Sequence, residues 1–175
     1  MRILVTGGVR SGKSSHAEAL LGDEPATYVA AGPSPDVETD PDWAARIDAH
    51  RSRRPGSWTT LESRDLAGAI RSSEVPVLID CLGTWLTAVV DEAGAWEAEN
   101  DAALGLVVAR ADEVVDALQA CEQDVVLVTN EVGLGVVPEH RSGRLFRDLL
   151  GTVNQRVAAA CDEVHLVVAG RVLRL

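Results

Sequence analysis

The order of apolar and polar positions along the chain predicts an alternation of strands and helices. Short apolar runs at residues 3–6, 27–31, 75–80, 125–130 and 164–169 are separated by longer segments with helical period. Several runs consist of Val, Leu and Ile, as expected for strands that are covered on both faces. This alternation predicts an α/β fold, with a mostly parallel sheet flanked by helices. Residues 172–175 are a weaker candidate for a last strand.

Between these runs, the helical period predicts six helices. They cover residues 13–21, 42–53, 65–72 and 82–90, a long segment within 100–120, and residues 142–161. Two irregular stretches, 32–41 and 133–141, follow the C-terminal ends of strands, where open α/β sheets bind their ligands. Because no repeat or linker interrupts the pattern, we expect a single domain spanning residues 1–175.

Composition and charge exclude several classes of protein. The formal net charge of −11 argues against nucleic-acid binding, which needs a basic surface. The three cysteines form no Cys-x-x-Cys pair, which suits a reducing compartment. No secretory signal pattern is present, and no apolar run reaches the roughly 20 residues of a membrane-spanning helix. We therefore expect a cytoplasmic protein without a membrane span.

The first strand is followed by a phosphate-binding motif. The pattern G-x-x-x-x-G-K-[ST] is satisfied by Gly7, Gly8, Val9, Arg10, Ser11, Gly12, Lys13 and Ser14. In such a loop the backbone N–H groups and the helix N-terminus face the phosphates. Lys13 would contact the β and γ phosphates, and the Ser14 hydroxyl would bind Mg²⁺. The motif predicts a P-loop NTPase-like domain that uses Mg²⁺ with GTP or ATP.

The alternative is a glycine-rich turn that only joins a strand to a helix. Against it, Lys13 is the only lysine among sixteen basic residues. The other fifteen are all arginines, so the chain has its one compact ammonium at the position where it would contact phosphate.

The metal on the phosphates needs a carboxylate at the end of a neighbouring strand. Asp80 follows an apolar run and is the first candidate, either for the metal or for a direct nucleotide contact. It could instead cap the helix that follows. Glu131, after the run at residues 125–130, is the competing candidate.

A dense run of arginines lies at residues 46–55 of this acidic chain, and His50 lies within it. One interpretation is a solvated helix face. In a chain with a phosphate loop, the arginines could instead neutralise a triphosphate or a departing pyrophosphate. His50 would be largely neutral at pH 7, because neighbouring guanidinium groups favour the uncharged imidazole. A neutral imidazole can attack phosphorus and form a phosphoramidate.

Taken together, these motifs resemble one family over essentially the whole chain. The likeness covers the loop at residues 4–14, residues 46–47, 50–51 and 54–55, residues 58–62, residues 80–82 and 85–87, and residues 144, 146–148 and 154–155. Its most distinctive part is TNEVGLGVVPE at residues 129–139. The chain is similar to the bifunctional adenosylcobinamide kinase/adenosylcobinamide-phosphate guanylyltransferases of adenosylcobalamin assembly.

The resemblance implies one nucleotide site that serves two reactions. Adenosylcobinamide is phosphorylated, and GMP from GTP is then transferred to adenosylcobinamide phosphate through a guanylylated histidine. His50 matches that histidine. Besides the phosphate loop, the positions that match nucleotide contacts are Ala30, Ala31, Gly32, Arg51, Ser52, Arg53, Arg54, Glu62 and Asp80. The resemblance also implies a homotrimer, with the site near a subunit boundary.

Two other functions stay open on the residues alone. A monofunctional small-molecule kinase would use the phosphate loop and leave His50 as a surface residue. A non-enzymatic GTP switch would read guanine with Asn-Lys-x-Asp, which cannot occur here because the single lysine lies in the phosphate loop.

Overall fold

Strands and helices alternate along the chain much as the apolar pattern predicts. The structure is a computed structural model, which describes residues 1–32, 40–52 and 54–175, and only the backbone of Trp43, Arg46 and His50. The elements in chain order are β1 (Arg2–Gly7), α1 (Lys13–Leu21), β2 (Thr27–Ala30), α2 (Pro41–Arg51), β3 (Thr59–Glu62), α3 (Leu66–Ser72), β4 (Val77–Asp80), α4 (Leu82–Glu92), α5 (Asn100–Ala120), β5 (Val125–Val128), α6 (Arg141–Ala159), β6 (Glu163–Val168) and β7 (Arg171–Arg174), with a short 3₁₀ turn at Ala95–Glu97 before α5.

The strands form one sheet in the order β3-β2-β4-β5-β1-β6-β7. Every pair is parallel except β6 with β7, which form an antiparallel hairpin. The predicted α/β class, with a mostly parallel sheet flanked by helices, is confirmed. Strand β1 lies between β5 and β6, so the loop that follows it starts from an interior strand and not from an edge strand of the sheet.

Helices cover both faces of the sheet, and the two faces bury separate apolar clusters. Helices α3, α4, α5 and α6 pack with β4 and β5 in the larger cluster, which contains Trp85 at 2% exposure. On the other face, α1 contributes Ala17 to a smaller cluster with Ile3 and Val5 of β1. The alternating residues of β1 thus serve both clusters, which explains its continuous apolar run.

The structure differs from the sequence prediction at β3. All four residues of β3 are exposed, so no apolar run or alternation marks the strand. It forms because its backbone pairs with β2 at the sheet edge. The other differences concern element ends; for example, β4 begins at Val77 instead of residue 75, α2 ends at Arg51 instead of residue 53, and α6 ends at Ala159 instead of residue 161.

A histidine pair connects α1 to β6 behind the phosphate loop. His16 Nε2 lies 2.9 Å from His165 Nδ1, and His165 Nε2 lies 2.8 Å from Glu163 Oε2. His165 is 1% exposed. The hydrogen bond from His165 lowers the pKa of Glu163, and burial lowers the pKa of His16. These two histidines therefore have structural partners and do not point to catalysis.

Within the described part of the chain, no helix combines the length and the hydrophobicity that crossing a membrane requires.

Candidate nucleotide-binding site

The phosphate loop connects the end of β1 at Gly7 to the start of α1 at Lys13, as its motif requires. Two residues of the loop have positive φ, Arg10 at 55° and Gly12 at 96°. The amide of Ser11 donates to the carbonyl of Gly8 at 3.3 Å. A left-handed backbone at Gly12 favours glycine, because a side chain there would strain the chain. The backbone therefore makes a tight turn before the N-terminus of α1, which is the geometry of an anion site.

The polar side chains of this loop are arranged for an anionic ligand. Lys13 is only 5% exposed, and its Nζ donates to the Gly8 carbonyl at 3.1 Å. Its ammonium is therefore held against the loop. Ser11 is 9% exposed, and its Oγ has no hydrogen-bond partner within the described residues. A buried hydroxyl without a partner is costly, and a phosphate oxygen could accept its hydrogen bond.

Neighbouring strands hold the loop in place. A Cβ on Gly7 would lie 2.4 Å from the Val167 carbonyl oxygen, so β1 and β6 approach more closely than a larger residue allows. The amide of Gly170, in the turn between β6 and β7, donates to the Ser11 carbonyl at 2.8 Å. On the other side, the amide of Glu131 donates to the Gly7 carbonyl at 3.2 Å. No pattern in the sequence predicts these contacts, since they join segments far apart in the chain.

Three of the predicted site residues meet at the carboxyl edge of the sheet. Ala30 is in register with Asp80 on one side and with Glu62 on the other. The next residues after β2 are Ala31, which is buried, and Gly32, which is half-buried. The parallel pairing of β3, β2 and β4 therefore brings the ends of these strands into one row.

Asp80 is positioned by Tyr28, which the sequence did not single out. The Tyr28 hydroxyl donates to Asp80 Oδ2 at 3.2 Å. Burial, followed by the nearby Asp80 carboxylate, raises the pKa of Tyr28, so the phenol stays protonated and remains a donor. Tyr28 lies two positions before Ala30 in β2, a spacing that places both side chains on one face.

The two acidic candidates for metal support lie on adjacent strands. β5 lies between β1 and β4. Glu131 follows β5, and its Oε1 accepts from the Gly133 amide at 2.5 Å, so this carboxylate stabilises a local turn. Asp80 ends β4 and accepts a hydrogen bond from the Tyr28 hydroxyl of the neighbouring strand β2. Among the described residues no three His, Cys, Asp or Glu side chains cluster as metal ligands. The Ser14 hydroxyl and the Asp80 carboxylate are nevertheless the hard oxygen donors that Mg²⁺ prefers, and phosphates and water usually complete its shell.

The basic segment docks against β2 and β3 in the structure. Arg51 ends α2 and donates to Glu62 Oε1 at 2.8 Å. Arg54 donates to Thr60 Oγ1 at 2.8 Å and stacks over the Tyr28 ring, 3.3 Å from its centroid. Ser52 follows the helix, and its hydroxyl donates to the Ala49 carbonyl. At Arg51 and Arg54, the segment is therefore not simply a solvated helix face.

Two of the predicted residues lie partly or wholly outside the described residues. Arg53 is not described, and neither is the side chain of His50, although the backbone of His50 is helical in α2. The larger part of the irregular stretch predicted at residues 32–41 is also not described.

The structure does not bring the end of α2 to the phosphate loop. Arg51 is bound to Glu62 on β3, and β3 is the fourth strand from β1. With strands about 4.8 Å apart, the two strands are separated by roughly 19 Å. His50 immediately precedes Arg51, so its backbone belongs to this distant edge of the site.

Comparison with known proteins identifies the family. The model of the family described as "Cobinamide kinase / cobinamide phosphate guanyltransferase" matches residues 3–175. The chain belongs to this family. It is 47% identical to the bifunctional adenosylcobalamin biosynthesis protein CobU of Salmonella typhimurium, over 97% of both chains. Against the protein of the same name in Escherichia coli it is 44% identical, again over 97% of both chains.

A solved structure shares the fold. The chain is similar to a prototypical ATPase from the type III secretion system of pathogenic bacteria, with a TM-score of 0.55 and 11% identity. The similarity covers 94% of this chain and 50% of the ATPase chain. At this low identity the likeness bears on the fold alone.

Proposed function

We propose that the protein catalyses both reactions of its family, the phosphorylation of adenosylcobinamide and the transfer of GMP from GTP to adenosylcobinamide phosphate. The observation that carries the proposal is the phosphate loop with its buried Lys13, in a chain that the family model matches from residue 3 to residue 175. GTP or ATP binds with its phosphates over Gly7, Gly8, Val9, Arg10, Ser11 and Gly12.

In the first reaction, the chain positions two reactants and stabilises charge. The acceptor hydroxyl attacks the γ phosphorus, the bond to the β phosphate breaks, and a nucleoside diphosphate leaves. Lys13 binds the β and γ phosphates, and the loop amides and Ser11 hydroxyl donate to phosphate oxygens. Ser14 and Asp80 would hold Mg²⁺, which neutralises charge on the phosphates. No enzyme nucleophile is needed for this step.

In the second reaction, His50 forms a covalent bond to the nucleotide. An imidazole nitrogen attacks the α phosphorus of GTP, and the bond to the β phosphate breaks as pyrophosphate leaves. Arg51, Ser52, Arg53 and Arg54 follow His50 in the chain and would bind the departing anion. A phosphate oxygen of adenosylcobinamide phosphate then attacks the same phosphorus and releases His50.

This second reaction requires His50 to come near the phosphate loop. Because α2 is anchored at Glu62, about four strands and roughly 19 Å from β1, the loop and His50 of one subunit meet only if α2 moves. A second subunit could supply His50 instead, which is compatible with the homotrimer that the family resemblance implies. The ion pair of Arg51 with Glu62 is exposed, and such pairs contribute only about 0–1 kcal/mol, so releasing it costs little.

We also infer a cytoplasmic location. Cys81, Cys121 and Cys161 form no disulfides in the structure, and free cysteines are usual in a reducing compartment.

The experiment that tests the proposal follows label from GTP carrying radioactive phosphorus at the α position. We expect the wild-type protein to become labelled through a phosphoramidate, which is stable in alkali and labile in mild acid. The His50→Ala variant should lose the label and the guanylyl transfer, yet still phosphorylate adenosylcobinamide.

The matched control is His140→Ala, which removes an exposed histidine just before α6 and should leave labelling intact. Full labelling of His50→Ala would move the nucleophile to another residue. A wild-type protein that phosphorylates the corrinoid but takes up no label would be a monofunctional kinase.

A further inference from the structure

The loop after β5 presents apolar side chains to solvent. Residues 133–138 form what we call the apolar loop, and in it Leu134 is 87% exposed, Val136 95% and Val137 63%. Single exposed apolar residues are common on protein surfaces, whereas several together indicate a binding surface. The phosphate-transfer chemistry described above makes no use of these three side chains.

The apolar loop is held firmly by polar contacts at its base. Arg147 donates to the carbonyls of Gly135 at 3.0 Å and Gly133 at 2.5 Å. Arg144 donates to the Pro138 carbonyl at 3.2 Å. These guanidinium groups of α6 donate hydrogen bonds to the backbone carbonyls of the loop and hold its backbone against the helix. The apolar side chains gain nothing from these contacts and remain available to a ligand.

The apolar loop begins beside the phosphate loop. The Glu131 amide is bound to the Gly7 carbonyl, and Gly133 comes two residues later. Two residues span at most about 7 Å. A ligand that contacts the start of the apolar loop would therefore lie near a nucleotide bound at residues 7–14, on the same carboxyl edge of the sheet.

The second substrate of the reaction has to occupy this region. In phosphoryl transfer the attacking oxygen must lie about 3–3.5 Å from the phosphorus. In cobinamide, the acceptor hydroxyl is at the end of a short arm on a corrin ring, so the ring must lie close to the phosphates. The ring carries many methyl groups along its periphery, which suit apolar contacts. A cobalt(III) alkylcorrinoid is also a cation, and the chain has a formal net charge of −11.

We propose that the apolar loop is the surface on which the corrin ring of the acceptor rests, with Leu134 and Val136 in contact with the ring. The proposal rests on the proposed function and adds to it the residues that bind the corrinoid. The loop determines the affinity for the acceptor and leaves nucleotide binding unchanged.

The test compares the wild-type protein with L134S/V136S and with a matched control, L173S/L175S. Leu173 and Leu175 are also exposed, at 57% and 72%, but they lie at the C-terminal hairpin. Binding of adenosylcobinamide is measured by equilibrium dialysis through its visible absorbance, and the KM for the corrinoid is measured at saturating nucleotide. GTP affinity is measured by calorimetry, and the oligomer mass by light scattering.

We expect L134S/V136S to weaken corrinoid binding and to raise its KM by about tenfold or more, since losing apolar contact of one or two side chains has this order of effect. GTP affinity should stay within about twofold. L173S/L175S should bind the corrinoid as tightly as the wild-type protein, and so should L134I/V136I, which keeps apolar side chains at both positions.

The proposal is wrong if L134S/V136S binds the corrinoid as tightly as the wild-type protein, or if L173S/L175S weakens binding equally. A smaller oligomer in L134S/V136S alone would show that the apolar loop is a subunit contact, and would also overturn it. If the wild-type protein binds adenosylcobinamide but does not phosphorylate it, the proposed function fails while the dialysis still decides on the loop.

Discussion

At the scale of single residues, the chemistry of the phosphate loop lies in one short segment. The strand before the motif, the motif itself and the helix after it are contiguous in the chain, and the motif contains Lys13, the only lysine. A site built in this way can be predicted from its sequence. The contact of Arg54 with Tyr28, and that of Tyr28 with Asp80, were not predictable. They depend on which strands lie side by side, and an isolated tyrosine in an apolar run has no distinguishing pattern.

Lys13 gives the first prediction at this scale. Lys13→Ala should weaken binding of GTP by about 10- to 150-fold, since a hydrogen bond to a charged group contributes about 1.5–3 kcal/mol. Isothermal titration of the folded variant measures the effect. Arg10→Ala is the control, because Arg10 is an exposed cation of the same loop and should have a smaller effect. Unchanged affinity in a folded Lys13→Ala protein would contradict the assignment of the loop.

At the scale of elements, the apolar pattern predicted the strands and helices that have a buried face and missed the strand that has none. Helix α1 and the apolar runs of β4 and β5 lie close to their predicted positions, because burial on both faces of the sheet requires continuous apolar residues. β3 has no buried face and was missed. The hairpin of β6 and β7, whose turn residue Gly170 contacts the phosphate loop, was only a weak candidate from residues 172–175. Its role depends on a long-range contact.

Because β1 lies close to β6 at Gly7, we expect substitution of Gly7 and of the neighbouring Gly8 to affect stability differently. Gly7→Ala should destabilise the free protein by about 1–3 kcal/mol, since its Cβ would lie 2.4 Å from a backbone oxygen of β6 and the strands would have to separate. A Cβ on Gly8 would meet nothing within 4 Å, so Gly8→Ala should change stability little. Urea unfolding without nucleotide measures both. Equal stability of the two variants would show that β6 can move aside easily.

At the scale of the whole molecule, the fold class was predictable and the strand order was not. Alternating apolar runs indicate a parallel sheet, but nothing in them shows that β5 lies between β1 and β4. That order decides the layout of the site: Asp80 is two strands from the phosphate loop, and Glu62 is four. It also separates α2 from the loop, a relation that no local pattern contains. The physical reason is that strand order is fixed by the packing of the helices and connections together.

The sheet order also connects nucleotide binding to the stability of the whole chain. The phosphate loop follows β1, which pairs with β5 and β6, and the loop is bound to the residue after β5 and to the hairpin turn after β6. Global unfolding must therefore destroy the site, and a ligand that binds only the folded chain stabilises it. At a ligand concentration of about 100 times Kd the gain is about 2.7 kcal/mol, which raises the Tm by roughly 5–10 °C in a chain of this size.

The last prediction uses this coupling to compare nucleotides. With Mg²⁺ and equal nucleotide concentrations, GTP should raise the Tm more than ATP, because guanylyl transfer requires GTP while ATP is needed at most for the kinase step. The groups that favour guanine are not an Asn-Lys-x-Asp motif, since the single lysine is in the phosphate loop. Thermal unfolding of the wild-type and Lys13→Ala proteins measures the shifts, and the variant should show a smaller shift with either nucleotide at the same concentration. A Tm that rises with ATP and not with GTP would contradict the guanylyltransferase activity and leave a kinase, since a donor that does not bind the folded chain cannot supply its nucleotide for transfer.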